Sequence, residues 1–149
     1  MDRFIIRTGI GYPPEEIEKA IIMYGSIRND LRKITPLVGS AEILEARRAG
    51  RERVHLSEKV TGYLFSIVAA TRNHPMILTG ISTRGGINLA EAARINAYLE
   101  GRGYVVPEDV KSMAVPVGAH RIICRAENES INKEELLGAI LRNMPVPLV

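Results

Sequence analysis

The sequence predicts an all-α fold, a small helical bundle with one orphan strand at its N-terminal end. Apolar residues recur at helical spacing in segment after segment, and most of these segments open at a residue that can cap a helix. The alternating pattern of a strand stands out in one place, near the N-terminus. With 149 residues and a composition that is 46% hydrophobic, the chain is long enough to enclose a core of its own.

Charge and cysteine content exclude several classes of protein. The net charge of +3 comes from 20 basic and 17 acidic residues, without the strong and segregated excess of a dedicated nucleic-acid binder. Cys124 is the single cysteine, which excludes an intramolecular disulfide and a cysteine-based zinc site and favours a reducing compartment. The sequence has no signal peptide and no apolar run near the roughly 20 residues of a membrane span. We therefore expect a soluble, cytoplasmic protein without a metal site.

The first two elements are a strand and a helix. Residues 4–10 alternate, with Phe4 and Ile6 on one side of the strand. Pro14 then opens a helix that has an acidic first turn and ends at Gly25. A lone strand is not stable by itself, which indicates that its neighbouring strands are missing upstream. We expect this strand to be disordered, to fold onto the bundle, or to pair with the same strand of another copy.

Five further helices follow. Four are predicted to start at side chains that can cap a helix: Ser40, Ser57, Ser82 and Asn132. The fifth has Pro107 at its first position, runs to about Pro116 and continues to Ile123. The helix capped by Ser82 is the longest, and its expected inner face comprises Ile87, Ala90, Arg94, Ala97 and Tyr98.

The segment that most suggests chemistry is 80–86, Gly-Ile-Ser-Thr-Arg-Gly-Gly. A cap at Ser82 places Arg84 in the first turn of the long helix, where free amides and the helix dipole favour an anion. The planar guanidinium also suits phosphate oxygens. The competing interpretation is a solvated basic residue near a helix start, which the residues alone favour. These glycines form no P-loop, because no Lys-Ser or Lys-Thr pair follows at the required spacing.

Two other basic features also have competing interpretations. Arg3 precedes the strand and is either an arginine presented to a neighbouring subunit's nucleotide or a frayed terminal residue; spacing alone favours the second. A basic helix face, named here the Arg47–Arg53 face, either docks an acidic partner or nucleic acid, or is simply solvated. The lack of interleaved aromatic residues favours solvation. The members of this face are Arg47, Arg48, Arg51 and Arg53.

Three groups of motifs, in order along nearly the whole chain, resemble the C-terminal part of MoxR-type AAA+ ATPases. Residues 2–13, Asp-Arg-Phe-Ile-Ile-Arg-Thr-Gly-Ile-Gly-Tyr-Pro, look like the end of the family's core domain and its link to the lid. Residues 70–75 and 80–85 are similar to the family's Thr-Arg-x-His-Pro and Gly-x-Ser-x-Arg-Gly. The third group is similar to Ala-Ala-Arg, Gly-Arg-x-Tyr-Val, Pro-x-Asp-Val-Lys and His-Arg, at residues 92–94, 101–105, 107–111 and 120–121.

The resemblance implies a division of the chain and two functional residues. Residues 1–12 would be a remnant of the AAA+ core, and residues 13–149 the helical lid domain. Arg84 matches the sensor-2 arginine, which reaches the terminal phosphate of its own subunit's nucleotide, and Arg3 matches the arginine finger supplied in trans. Two positions depart from the family's pattern, since Thr83 stands where proline is usual and Val106 where a Ser or Thr cap is usual.

For the whole protein, the resemblance implies hydrolysis of ATP with Mg²⁺ in a hexameric ring. Lid movement would drive chaperone-like remodelling or maturation of client proteins, with a von Willebrand-type domain protein as a partner. ATP and Mg²⁺ would belong to the full-length protein. We expect this chain alone to bind neither and to be inactive, because it lacks the Walker A and Walker B motifs.

Two alternatives stay open. One is a stand-alone helical interaction module that docks an acidic partner or nucleic acid through the Arg47–Arg53 face; strongly salt-dependent DNA binding, lost on charge reversal, would favour it. The other is the lid of a related ATPase, of the magnesium-chelatase or replicative-helicase type. The Gly-Tyr-Pro link at residues 11–13 argues against that relative.

Overall fold

The computed structural model describes residues 3–25 and 34–147. In chain order its elements are α1 (Glu15–Tyr24), α2 (Ser40–Arg53), α3 (Glu58–Arg72), β1 (Ile77–Thr79), α4 (Thr83–Leu99), α5 (Pro107–Gly118), β2 (Ile123–Cys124) and α6 (Lys133–Arg142). Short 3-10 turns at Ala119–Arg121 and Ala126–Asn128 lie on either side of β2. None of the described helices is long and apolar enough to cross a membrane.

The core lies between α3, α4, α5 and α6, and the predicted helical fold is confirmed. The contact between α4 and α5 is more extensive than that between any other two described elements. The inner face of α4 differs from the expected one: of the five expected residues only Ala97 is fully buried, and Ile87 is 57% exposed. Small side chains let a neighbouring helix approach closely, and the face that α4 buries is made mostly of them: Gly85, Leu89, Ala93 and Ala97.

The helix starts follow local chemistry with one exception. Ser57, Ser82 and Asn132 cap α3, α4 and α6 as predicted, each accepting a hydrogen bond from an amide of the first turn. Ser40 does not cap α2; it is the first helical residue, and Gly39 precedes it as the N-cap. The amide of Gly39 donates instead to a glutamate carboxylate of the first turn, which satisfies one of the free donors of that end.

The predicted N-terminal strand is not formed. Residues 3–14, named here the N-terminal arm, contain neither helix nor strand. A strand needs a neighbour to accept its backbone hydrogen bonds, and none of the described strands pairs with the arm. The arm instead folds onto the bundle, where the amide of Arg7 donates to the carbonyl of Pro116 at 2.9 Å. This was one of the three outcomes that the sequence allowed.

A two-stranded sheet that the sequence analysis did not predict lies beside α3. β1 and β2 pair antiparallel, with Ile77 opposite Cys124 and Thr79 opposite Ile123, and the register is irregular between them. The predicted helical continuation to Ile123 was therefore wrong at its end: a 3-10 turn continues α5 through Arg121, and Ile123 belongs to β2. Strands of two and three residues are too short to produce a readable alternation.

Candidate functional site

Arg84 occupies the position that the sequence predicts. Ser82 lies outside the helix with φ −69° and ψ 166°, and its Oγ accepts a hydrogen bond from the amide of Gly85 at 3.0 Å. α4 begins at Thr83, so threonine in place of the family's proline leaves the helix start intact. Arg84 is exposed and has no hydrogen-bond or ion-pair partner among the described residues. Its guanidinium is therefore available to an anion at the N-terminus of a helix.

The start of α4 is fixed by the end of α3. Thr71 is completely buried, and its hydroxyl accepts a hydrogen bond from the amide of Ile81 at 3.0 Å while donating to the carbonyl of Val68 at 2.7 Å. Arg72 donates from Nε to the carbonyl of Ile81 at 2.9 Å. These bonds hold both polar backbone groups of the residue that precedes the cap. The Thr-Arg motif thus acts on the segment that carries Arg84.

Gly80 completes this junction. A Cβ built on Gly80 would lie 2.7 Å from the amide nitrogen of Arg72 and 2.7 Å from the carbonyl carbon of Thr71. Both are backbone atoms of a helix and cannot move aside, so the position requires glycine. Sequence reasoning weighed the glycines of 80–86 only as a phosphate loop and missed this packing role. No local pattern in the sequence signals this role, because it arises from contact with the end of α3.

Arg3 lies exposed in a turn at the start of the N-terminal arm; Asp2 of the quoted motif lies outside the described residues. The arm directly after it is held by Arg121, which donates from Nη2 to the carbonyl of Phe4 at 2.7 Å and from Nη1 to that of Ile5 at 3.2 Å. His120 Nε2 lies 3.0 Å from the carbonyl oxygen of Phe4 and 2.7 Å from Nη1 of Arg121. Sequence reasoning interpreted His120 as a cap, turn or satisfied core residue and gave Arg121 no role beyond the motif, so it missed their contact with the arm.

A cavity of about 330 Å³ opens between the start of α4 and β2. It is lined by Thr79, Gly80, Ser82, His120, Arg121, Ile122, Ile123 and Lys133. Arg121 and Lys133 in this lining make the surroundings of the α4 N-terminus positively charged. A positive charge there suits an anionic ligand. Among the described residues, no group of three or more His, Cys, Asp or Glu side chains could hold a metal ion.

Three of the four arginines of the Arg47–Arg53 face are paired with two glutamates. Its surface ion pairs are Arg48–Glu45 at 3.0 Å, Arg53–Glu45 at 3.2 Å and Arg51–Glu91 at 3.2 Å. Exposed pairs of this kind add little stability, but they lower the positive potential that an acidic partner or nucleic acid would require. The solvated interpretation of this face is therefore favoured over the docking one.

Part of the described core matches a known family model. The family model of the AAA lid domain matches residues 69–140, which run from the end of α3 almost to the end of α6. Protein MoxR of Paracoccus denitrificans is 29% identical over 98% of this chain and 49% of its own length. Chaperone MoxR1 of Mycobacterium tuberculosis is 27% identical over 99% of this chain and 41% of its own length.

Two further proteins also match nearly the whole chain over about half of their own length. An uncharacterized protein of Bacillus subtilis, YeaC, is 28% identical over 99% of this chain and 47% of its own length. A crystal structure of an ATPase candidate from Cytophaga hutchinsonii superposes with a TM-score of 0.83 at 31% identity, covering 99% of this chain and 48% of that one. The chain thus spans about half the length of the relatives it matches.

Proposed function

We propose that this chain, a C-terminal lid segment of a MoxR-type AAA+ ATPase, supplies Arg84 to the terminal phosphate of ATP bound by the core of the same subunit. The observation that carries the proposal is the state of Arg84, which is exposed and without a partner among the described residues in the first turn of α4. Thr71 and Arg72 fix the backbone from which it projects. A helix start held so firmly can aim a side chain at a ligand on another domain.

The chemistry of phosphoryl transfer explains why an arginine would stand here. Negative charge spreads over the oxygens of the transferred group, and catalysis depends on positioning and on cations that stabilise this charge. Mg²⁺ and ATP, used by AAA+ ATPases, would supply the metal and the reacting group in the full-length protein. Arg84 would bind and orient the phosphate oxygens from the lid side.

The same proposal gives the N-terminal region its place in the whole protein. Every described residue from 3 to 45 is exposed, including the large apolar side chains of Phe4, Ile10, Tyr12 and Leu37. Exposed apolar surface on this scale marks a contact with another domain or subunit. We place this region against the core domain and a neighbouring subunit of a hexameric ring, with residues 1–12 as part of the core and residues 13–149 as the lid. Arg3 then serves as an arginine finger in trans.

At the level of the cell, we propose that ATP hydrolysis drives chaperone-like remodelling or maturation of client proteins in the cytoplasm. One relative, MoxR1, is named a chaperone. A von Willebrand-type domain protein is the partner that we propose to be recruited by the ring.

The test is ATP hydrolysis by the full-length protein with Arg84→Ala. We expect kcat to fall by about 100-fold or more, because one charge-stabilising group is lost at the phosphates. Arg142→Ala, an exposed arginine at the end of α6, is the matched control and should leave turnover unchanged. Normal turnover by the Arg84 variant would return this residue to the solvated surface and remove the proposed role.

A further inference from the structure

Arg121 is a buried arginine that donates hydrogen bonds to backbone carbonyls of two segments and also contacts the ring of His120. Its side chain lies in the 3-10 turn after α5, and the residue is 8% exposed. Besides its bonds to Phe4 and Ile5 in the N-terminal arm, it donates to the carbonyl of Val117 in the last turn of α5. A single side chain therefore binds two segments that are more than 100 residues apart in sequence.

The aliphatic part of Arg121 touches a third segment, the first turn of α4. A Cβ built on Gly85 would lie 3.0 Å from Cδ and 3.3 Å from Nε of Arg121. Gly85 is buried and follows Arg84 directly, so the stem of Arg121 packs against the backbone that carries Arg84. The same guanidinium holds the carbonyl of Phe4, the residue after Arg3.

We infer that Arg121 is a positioning residue that joins the N-terminal arm to the first turn of α4. Through it, Arg3 and Arg84 are held in a fixed spatial relation within one subunit. This inference rests on the proposed function, in which Arg3 faces a neighbouring subunit's nucleotide and Arg84 faces its own. Arg121 would then mechanically connect the parts of one subunit that meet two different nucleotides.

The geometry requires an arginine at this position. The planar guanidinium offers several donors in a fixed fork, and here it bonds two consecutive carbonyls of the arm and one of α5. A lysine ammonium is a point charge that cannot reproduce this fork, although it retains the charge and the stem. Arg121→Lys therefore removes the connection to the arm with little change to the packing against Gly85.

The first experiment tests the connection in this chain, without reference to ATP. In Arg121→Lys we expect hydrogen exchange at the Arg7 amide, which bonds Pro116 in the arm contact, to rise about 10-fold as the arm is released. Exchange in the middle of α4 and α5 should not change. The control is Arg125→Lys, an exposed arginine that donates to the carbonyl of Pro75 outside the arm. Unchanged exchange at Arg7 would overturn the inference.

The second experiment tests the consequence in the full-length protein. Arg121→Lys should lower kcat about 10-fold and leave the KM for ATP unchanged, since it displaces a group that acts in the transition state. In an Arg3→Ala background the same substitution should cause no further fall, because it acts through the arm. If the fall in kcat in the double variant equals the product of the falls in the two single variants, the inference is overturned. Arg121 would then have a general stabilising role.

Failure of the proposed function has a different signature. If Arg3→Ala alone leaves turnover unchanged, the finger role of Arg3 is wrong and the inferred link between two nucleotides falls with it. The exchange measurement in this chain then still decides whether Arg121 holds the arm.

Discussion

At the scale of single residues, the position of Arg84 depends on residues of the neighbouring helix α3 and of the loop before α4. The hydroxyl of Thr71 and the guanidinium of Arg72 bond the amide and carbonyl of Ile81, and Gly80 allows the two backbones to touch. The backbone that carries Arg84 is therefore held by three neighbours through packing and hydrogen bonding. We expect substitutions of Thr71, Arg72 or Gly80 to disturb the start of α4 more than the rest of the fold.

Gly80→Ala tests this dependence. The added Cβ would meet backbone atoms at 2.7 Å, so we expect the free energy of unfolding to fall by about 1–3 kcal/mol and turnover of the full-length protein to fall with it. Gly62→Ala in α3 is the control, because a Cβ there meets nothing within 4 Å. That change should stabilise the chain by up to about 1 kcal/mol, through helix propensity. Urea unfolding of both variants makes the comparison, and equal effects would contradict the packing argument.

At the scale of elements, a buried carboxylate joins the end of α4 to the start of α5. Both oxygens of Asp109 accept hydrogen bonds from Arg102, at 2.6 and 2.7 Å, and others come from the amide of Val106 at 2.9 Å and the side chain of Asn96 at 2.8 Å. Burial alone would raise the pKa of Asp109, but these donors outweigh it and hold the pKa below its usual value. The bond to Asp109 in turn raises the pKa of Arg102.

Asp109→Asn should show how much this junction contributes to the free energy of unfolding, and how that contribution depends on pH. We expect a loss of about 3 kcal/mol at neutral pH, because one partner of a largely buried ion pair is removed. A carboxylate with a lowered folded-state pKa stabilises the fold above its unfolded pKa of about 3.9 and loses that contribution as pH falls through the folded value. The gap between the unmodified chain and the variant should therefore shrink below about pH 4.

Denaturant unfolding at pH 7 and pH 3 measures this gap. Glu108→Gln, at the exposed neighbouring position in the first turn of α5, is the control and should change stability much less. A gap that is the same at both pH values would show that the carboxylate's charge is not what stabilises the junction.

At the scale of the whole molecule, burial divides the chain unevenly. The core belongs to α3–α6, whereas the described residues up to 45 contribute no buried side chain. We therefore expect a chain that lacks residues 1–12 to unfold cooperatively and to lose only about 1–2 kcal/mol, mainly from the hydrogen bonds between the arm and Arg121. Thermal unfolding followed by circular dichroism tests this, and a truncated chain without a cooperative transition would contradict the independence of the bundle.

Local chemistry in the sequence determined much of this protein. Apolar periodicity predicted the helical class, and Ser57, Ser82 and Asn132 start their helices because a capping side chain satisfies amides one turn away. Arg84 was placed correctly for the same reason, since its position depends on a cap two residues before it. Its role at a phosphate stays a prediction.

Only the tertiary structure decided the features that depend on distant partners. The predicted strand at residues 4–10 is absent because pairing needs a neighbour, and the pairing of β1 with β2 escaped prediction because neither is long enough to show a pattern. The inner face of α4 was misjudged because small residues, rather than large apolar ones, meet the close approach of a neighbouring helix. The contacts of Arg121 span more than 100 residues, so no local pattern could reveal them. Short-range chemistry fixes where helices begin, and long-range packing decides what their residues touch.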